Sequence, residues 1–474
     1  MLRIRHHISL PRWLTAAGIM LAPSLILILL AATHILPISK AAKLVYDLPP
    51  FIPNNARQPL QISSDPYTNS GSQHYTEVEP DTYSYGSTIV AVFQAGRYSD
   101  SGSSNIGWAT STDGGNNWEH GFLPGTTQLV QGPFTRISDP SVSYDADHDT
   151  WIISSVAIIG TGNSLASPTI LVNLSHDGGL TWSNPVMVVD GGSTYYDKDW
   201  ITCDNTYTSP FYGHCYIEWD DNDQRGLILM STSTDGGQTW GSTETTADNA
   251  LGIGGQPLVQ PNGRVIVPIS GYDDSFMHAF ISTNGGASWS KTTTVAKITT
   301  SVLPTAAMDA SGKVYLVWTD CHFEKNCAKD GNDLVMSTST DGVTWSPLQR
   351  IPINPVGSGV VYSVPGLGVD EITSGSTAHL ALAFYYSSAG CSSKCQLNVG
   401  FVSSTDGGTT WSTKIHLAGP MLLSWLPQGR NLVGDYMSTS FADELAFPVF
   451  AIAQAPTQGH LNEAMYTITG GLIV

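Results

Sequence analysis

Charge is scarce in this chain. Only 12% of its 474 residues are Asp, Glu, Lys or Arg, about half the usual share of roughly 25%. That excludes coiled coils, charged disordered tails and helix-rich bundles, all of which need dense charge on their solvent faces. Basic residues are scarcest: 20 Lys and Arg stand against 39 Asp and Glu, a formal net charge of −19. So acidic a surface repels phosphate backbones and argues against a nucleic-acid partner. Gly and Pro, 47 and 27 residues, fall below the level that marks low complexity. Cysteine is limited to six residues in three close pairs: Cys203 and Cys215, Cys321 and Cys327, Cys391 and Cys395. No pair of Cys-x2-Cys or Cys/His spacings is present, so a zinc site has no support. Three local disulfides in an oxidising compartment fit the spacing.

Long apolar runs are absent except at the N-terminus. Arg3, Arg5 and Arg12 precede an uncharged stretch whose apolar heart is Leu14 to Leu36. That is long for a signal-peptide core and long enough for a membrane span. The positive flank is expected to stay inside. Residues 1–38 therefore read as a signal-anchor, with a cleaved signal peptide as runner-up, and the remainder as exported. Residues 39–72 read as a tether rich in Pro, Ser and Asn, and 73–474 as one folded domain able to fold without the first 70 residues.

What is abundant is one short motif. Ser-x-Asp-Gly-Gly-x-x-Trp occurs around Asp113, Asp177, Asp235, Asn284, Asp341 and Asp406, with Asn replacing Asp in the fourth copy and the fifth copy one residue short. Ser and Asp side chains accept backbone N–H bonds and close a turn, the glycines supply positive φ, and the Trp caps the next strand. Six copies of one turn are structural, so none of these Asp residues is a catalytic candidate. Around each box lie short apolar strands with no helical period, and a seventh strand set (Gly434–Ser440, Leu445–Ala451, Ala464–Ile468) lacks the box. Even spacing of short strands predicts an all-β closed array of four-stranded units. The reading is a seven-bladed β-propeller, with six blades as the alternative. Its closure is expected to pair the chain near Thr76 with the last blade, which removes free edges and favours a monomer.

The boxes resemble the bacterial neuraminidase repeat, or Asp-box, of the sialidase superfamily over about residues 73–470. The strings Asp197-Lys-Asp-Trp-Ile201 and Gly434-Asp-Tyr436 are similar to those of bacterial exo-α-sialidase-like proteins. The resemblance implies a glycoside hydrolase with an arginine triad clamping the substrate carboxylate, a Tyr nucleophile assisted by Glu, and an Asp acid/base. Arginine suits the clamp because its fork binds carboxylate bidentately. A neutral Tyr avoids placing a second anion beside a carboxylate-bearing anomeric carbon. The Phe/Tyr-Arg-Ile-Pro string of those enzymes is absent.

Seven arginines follow the apolar stretch. Arg264, Arg350 and Arg57 fall on a hairpin, an outer strand and the tether. Arg97, Arg136, Arg225 and Arg430 remain as substrate-binding candidates, with Asp199 beside them. Glu218 occupies a mid-strand position that is apolar in the other copies, where a carboxylate is costly unless it is paired or functional. With Tyr436 and Asp139 it completes the catalytic expectation: Glu218 within hydrogen-bond reach of Tyr436, and at least two arginines in the same pocket. No cofactor motif is present. The carboxylates on this face suit a neutral glycan, a cation or Ca²⁺ equally well. Three functions follow: an exported sialidase-like hydrolase of terminal sugars, a non-catalytic propeller binding glycan or protein at the cell surface, and a metal-assisted lyase or hydrolase. The partners expected are a glycan or glycoconjugate and, through residues 1–38, a membrane.

Overall fold

The computed structural model describes residues 53–54, 57–299, 303–391, 395–427 and 433–474. The expected signal-anchor and Arg430 lie outside the described residues. Among the described residues no helix is long and apolar enough to cross a membrane, and the one α-helix is the single turn Cys327–Asp330.

The chain alternates short strands with tight turns, and every sheet is antiparallel. Strands join into six hydrogen-bonded sheets. The largest has eight strands, but it is two four-strand meanders held together by one residue pair, Ser103 with Ile137. Its first meander runs Glu77–Tyr85, Thr88–Arg97, Ser103–Ser111 and Glu119–Phe122. The innermost strand of its second is Arg136–Asp145. The following meanders begin with Tyr196–Cys203, the split pair Gly252–Ile253 and Leu258–Val259, Thr305–Met308, Val360–Val369, and Ser438–Ala442. The chain is all-β, of the β-propeller type that the repeat predicts.

The boxes sit in the turn between third and fourth strands, as the motif requires. In the first, Ser111 Oγ accepts from the Gly115 amide at 2.9 Å, and Asp113 Oδ1 accepts from Ser111 Oγ and the Asn117 amide, each at 2.9 Å. The bond from the Asn117 side chain, followed by that from its backbone, pulls the exposed Asp113 carboxyl down to about 2. The boxes also make the seams between meanders. Gly179, at φ +80°, presses its α-carbon toward Val90 and Thr110 of the preceding meander, and Thr110 Oγ1 donates to its carbonyl at 2.7 Å. The first box closes the circle in the same way: at Gly115 a Cβ would collide with Phe447 of the last meander. At the same seam Thr82 Oγ1 donates to Ser438 Oγ at 3.0 Å.

The closing strand differs from expectation. Pro59–Gln61, inside the segment read as a tether, pairs antiparallel with Ile468–Tyr466 as the outermost strand of the last meander. Ile62, 2% exposed, then enters the core with Met465 and Phe450. The region near Thr76 also meets the last meander, the Glu463 amide donating to the Tyr75 carbonyl at 3.0 Å, before it leads into the innermost strand of the first meander. Three residues of strand with a single buried isoleucine carry too weak a period to be seen in sequence. The domain therefore begins well before residue 73, and a chain without its first 70 residues lacks this strand.

All three cysteine pairs are disulfides, with Cα separations of 4.0, 5.7 and 5.2 Å, and no free cysteine remains among the described residues.

Candidate functional site

The innermost strands share one irregularity, and it builds the site. Register breaks fall between Val78 and Asp81, Ser138 and Ser141, Asp197 and Trp200, and Ser363 and Gly366. Inside each break one non-glycine residue is left-handed: Glu79 (φ +57°), Asp139 (+49°), Lys198 (+53°) and Val364 (+49°). Pro follows three of them, which disfavours the right-handed helical conformation just before it. Non-glycine residues in this region are strained, and such bulges re-aim side chains beside functional sites. Here three of the four carry charge.

Those three converge. Lys198 Nζ lies 2.9 Å from Asp139 Oδ1, 2.6 Å from Asp435 Oδ2 and 3.9 Å from Glu79 Oε1. The ammonium is buried, yet burial is outweighed by Asp139, Asp435 and Glu79, which push its pKa well above the ordinary lysine value. Behind this cluster Gln94 Nε2 donates to Glu79 Oε2 and, at 3.2 Å, to Ser138 Oγ.

The carboxyl groups are driven apart in proton affinity. Burial raises Glu79 to about 8, opposed by Lys198 and reinforced by Asp139. Burial also acts on Asp139, but the Lys198 charge and hydrogen bond overcome it and hold this carboxyl below its ordinary range. Asp197 keeps part of its surface open while ringed by protein atoms. Burial and then the Asp139 charge raise it to about 7, against Lys198 and a 3.0 Å bond from Asn222 Nδ2. Asp435 retains 23% side-chain exposure and so remains reachable.

Tyr436 and Trp200 form the aromatic wall. Their rings meet edge to face at 5.2 Å, and Lys198 Nζ lies 5.3 Å from the Tyr436 centroid. With Lys198, Asp199, Gln256 and Leu303 they border a cavity of about 10 Å³, room for one water molecule. A ligand larger than a water molecule does not fit this cavity.

The anticipated site residues divide. Asp139 is at the centre. Tyr436 is there too, but its hydroxyl donates to the Pro140 carbonyl at 3.0 Å and not to Glu218. Glu218 lies one strand outward, paired in register with Trp200. It is wholly buried, and neither oxygen has a hydrogen-bond partner of good geometry. Its carboxyl lies so close to Gly255 that a Cβ there would fall 2.5 Å from it. Asp199 and Asp220 are likewise buried without a partner of good geometry, Asp199 being eased by nearby Ser154, and burial raises all three well above the carboxylate range. Burial thus favours the protonated form of all three. Among the described residues no group of three or more His, Cys, Asp and Glu is arranged to hold a metal ion, so the acidic face gathers no Ca²⁺ ligand set there.

The described arginines each have a partner of their own. Arg97 is buried and bonds Gln94 Oε1 at 3.2 Å. Arg136 is held by Asp100 at 2.5 Å and lies 3.9 Å from the Tyr98 ring centroid. Arg225 is exposed and stands over Tyr272 at 5.7 Å. Among the described residues the cation bonded to these carboxyls is Lys198, which was not singled out in sequence. Aligning innermost strands on the residue before the bulge Pro would have placed Lys198 beside Glu79 and Asp139.

Residues 160–364 match the family described as the BNR repeat-like domain. The boxes around Asp113 and Asp406 lie outside the matched segment, one on each side. No curated protein matches the chain. Among solved structures it is similar to the Hadza microbial sialidase Hz136, at 15% identity and a TM-score of 0.45, covering 84% of this chain and 66% of that one. It is similar also to the NanB sialidase of Streptococcus pneumoniae (16% identity, TM-score 0.43, 87% and 70% covered). A third is the α-L-arabinofuranosidase Arb93A of Fusarium graminearum (14% identity, TM-score 0.46, 87% and 97% covered). The chain thus spans about two thirds of the length of the sialidases it matches.

Proposed function

We propose that this BNR-repeat chain is an exported seven-bladed β-propeller that hydrolyses glycosides of uncharged sugars. The observation that carries the reading is the split in proton affinity around Lys198. Carboxyl groups pushed apart by their surroundings are the mark of an acid and a base sharing one site. Asp197, protonated up to about pH 7 and partly open, gives its proton to the glycosidic oxygen. Asp435, bonded to Lys198 at 2.6 Å, meets the positive charge developing at the anomeric carbon as the glycosidic bond breaks; water then adds to that carbon and gives up its proton to the Asp197 carboxylate. Asp139 and Glu79 hold the lysine from behind, and Trp200 offers an apolar edge to the sugar ring. An exo-α-sialidase needs a clamp for the substrate carboxylate, whereas Arg136 is already paired with Asp100 and Arg97 bonds Gln94. The carboxylates around Lys198 oppose a second anion. The three disulfides support an oxidising compartment.

The test is turnover by the purified chain on a panel of neutral aryl glycosides and a sialoside, with Asp197→Asn alongside. Hydrolysis of a neutral glycoside is expected, lost as pH rises through about 7. Asp197→Asn is expected to lower kcat by roughly 10²–10⁴-fold and to remove the basic limb. Turnover of the sialoside alone, or a basic limb unmoved by Asp197→Asn, overturns the assignment. No turnover on any substrate favours a glycan-binding propeller without catalysis, a reading to which the one-water cavity beneath the cluster lends weight.

A further inference from the structure

Between the first and second meanders lies a much larger cavity of about 460 Å³. That is within the size range of small-molecule sites. Ser70, Tyr98, Asp100, Gln128, Thr135 and Arg136 line it. Every one of these side chains carries a hydrogen-bonding group, and no aliphatic residue is among them.

Its charge is balanced internally. Arg136 donates through Nη1 and Nη2 to the two oxygens of Asp100, at 2.5 and 3.4 Å, and through Nη1 to the Ser101 carbonyl at 2.9 Å. The Arg136 side chain is 7% exposed, whereas that of Asp100 is 45% exposed. The carboxylate is therefore fixed from behind and turns its remaining lone pairs outward. Partial burial would raise Asp100, but the Arg136 bond and charge outweigh it and keep the anion. An anionic ligand would meet an arginine already satisfied and a carboxylate in front of it. A cationic ligand would compete with Arg136 for Asp100. A neutral polyhydroxylated ligand meets neither obstacle, because fixed acceptors and amide and hydroxyl groups pair with its hydroxyls without an uncompensated charge.

The cavity also adjoins the Lys198 site. Tyr195, two residues before Asp197, brings its hydroxyl to 3.5 Å from Ser101 Oγ, next to Asp100. The same hydroxyl is close enough to feel Asp197, Asp139 and Asp100 together. Tyr195 is therefore a partition between the two sites, not a distant bystander.

We propose that the Arg136–Asp100 cavity is a second saccharide subsite, which holds the neighbouring neutral sugar of a chain whose end lies at Lys198. This rests on the reading of the Lys198 cluster as a glycosidase centre. It makes the ligand an oligosaccharide, and gives Arg136 a place in recognition without a carboxylate to clamp.

Binding tests it independently of turnover. The full chain carrying Asp197→Asn is titrated calorimetrically with neutral tri- to hexasaccharides of glucose, xylose, arabinose and galactose, and with sialyllactose. At least one neutral oligosaccharide is expected to bind, and its monosaccharide at least tenfold more weakly. Ser99→Trp, on the exposed rim of the cavity, is expected to weaken the oligosaccharide tenfold or more and to leave the monosaccharide unaffected. Gln128→Ala, which removes an exposed amide and fills nothing, is expected to weaken it several-fold, and it reports even if the tryptophan variant misfolds. Equal affinity for monomer and oligomer overturns the proposal. So does tight binding of sialyllactose alone, or oligosaccharide binding indifferent to both variants. If hydrolysis proves absent but the oligomer preference and its loss in Ser99→Trp persist, the glycosidase reading fails and the subsite stands.

Discussion

Glu77 offers a quantitative test of how this fold is closed. It lies in the innermost strand of the first meander, with no exposed surface. Its Oε2 accepts from Ser63 Oγ and, at 3.1 Å, from the Met465 amide, so it ties the N-terminal segment to the last meander. Its other oxygen has no partner. Burial raises its pKa from 4.5 to about 8, eased by Ser63 and reinforced by Asp65. The folded pKa is the higher one, so the folded chain holds a proton that the unfolded chain releases between these values. Stability from this group is full below about pH 4.5 and is lost as pH rises to about 8. Each pH unit in that window is worth about 1.4 kcal/mol, so the whole interval is worth about 5 kcal/mol as an upper bound. Glu77→Gln keeps the shape and the acceptor for Ser63 and Met465 but cannot ionise. The assay is urea unfolding at half-unit steps from pH 4 to 9, with disulfides intact. The variant is expected to match the parent near pH 4.5 and to exceed it progressively toward pH 8. Its slope should differ by about 1.4 kcal/mol per pH unit. Parallel curves would refute the reasoning, because they would mean that Glu77 is ionised in the folded chain at neutral pH.

A chain starting at residue 63 lacks the closing strand and the buried Ile62. Against one starting at residue 53 it should be less stable by about 2–4 kcal/mol, read from urea midpoints; equal midpoints would return the segment to the role of tether. Lys198→Met leaves Asp139, Asp435 and Glu79 without their cation. It should cost about 3–5 kcal/mol at pH 7 and markedly less at pH 4, where Asp139, no longer held down by the lysine, takes up a proton; a loss independent of pH would show that packing, not charge, is what Lys198 supplies. Thiol titration of the denatured, unreduced chain should find no reactive cysteine, and six reactive thiols would remove the three bridges.

Much of this architecture was already legible in the residues. A Ser, an Asp, two glycines and a Trp close the same turn wherever they occur, because every bond that closes it lies within about five residues. The period of such turns therefore fixes an all-β repeat, and the cysteine pairs were readable for the same reason, each bridging a short local loop. The partnership of Pro59–Gln61 with Ile468–Tyr466 was not legible, since it joins segments some four hundred residues apart and rests on backbone bonds that any side chain permits. Nor was the centre of the site. Glu218 looked functional because a carboxylate in an apolar strand is costly, yet the structure keeps it buried, without good hydrogen bonds and with its proton affinity raised, against Gly255. Lys198 looked ordinary because its cost appears only when bulges in three different meanders turn Glu79, Asp139 and Lys198 toward one axis. Local chemistry determined the turn, the strand and the repeat. Which charges meet was decided by the closing of the circle, because side chains about 60 to 360 residues apart acquire a common environment only when the last meander reaches the first.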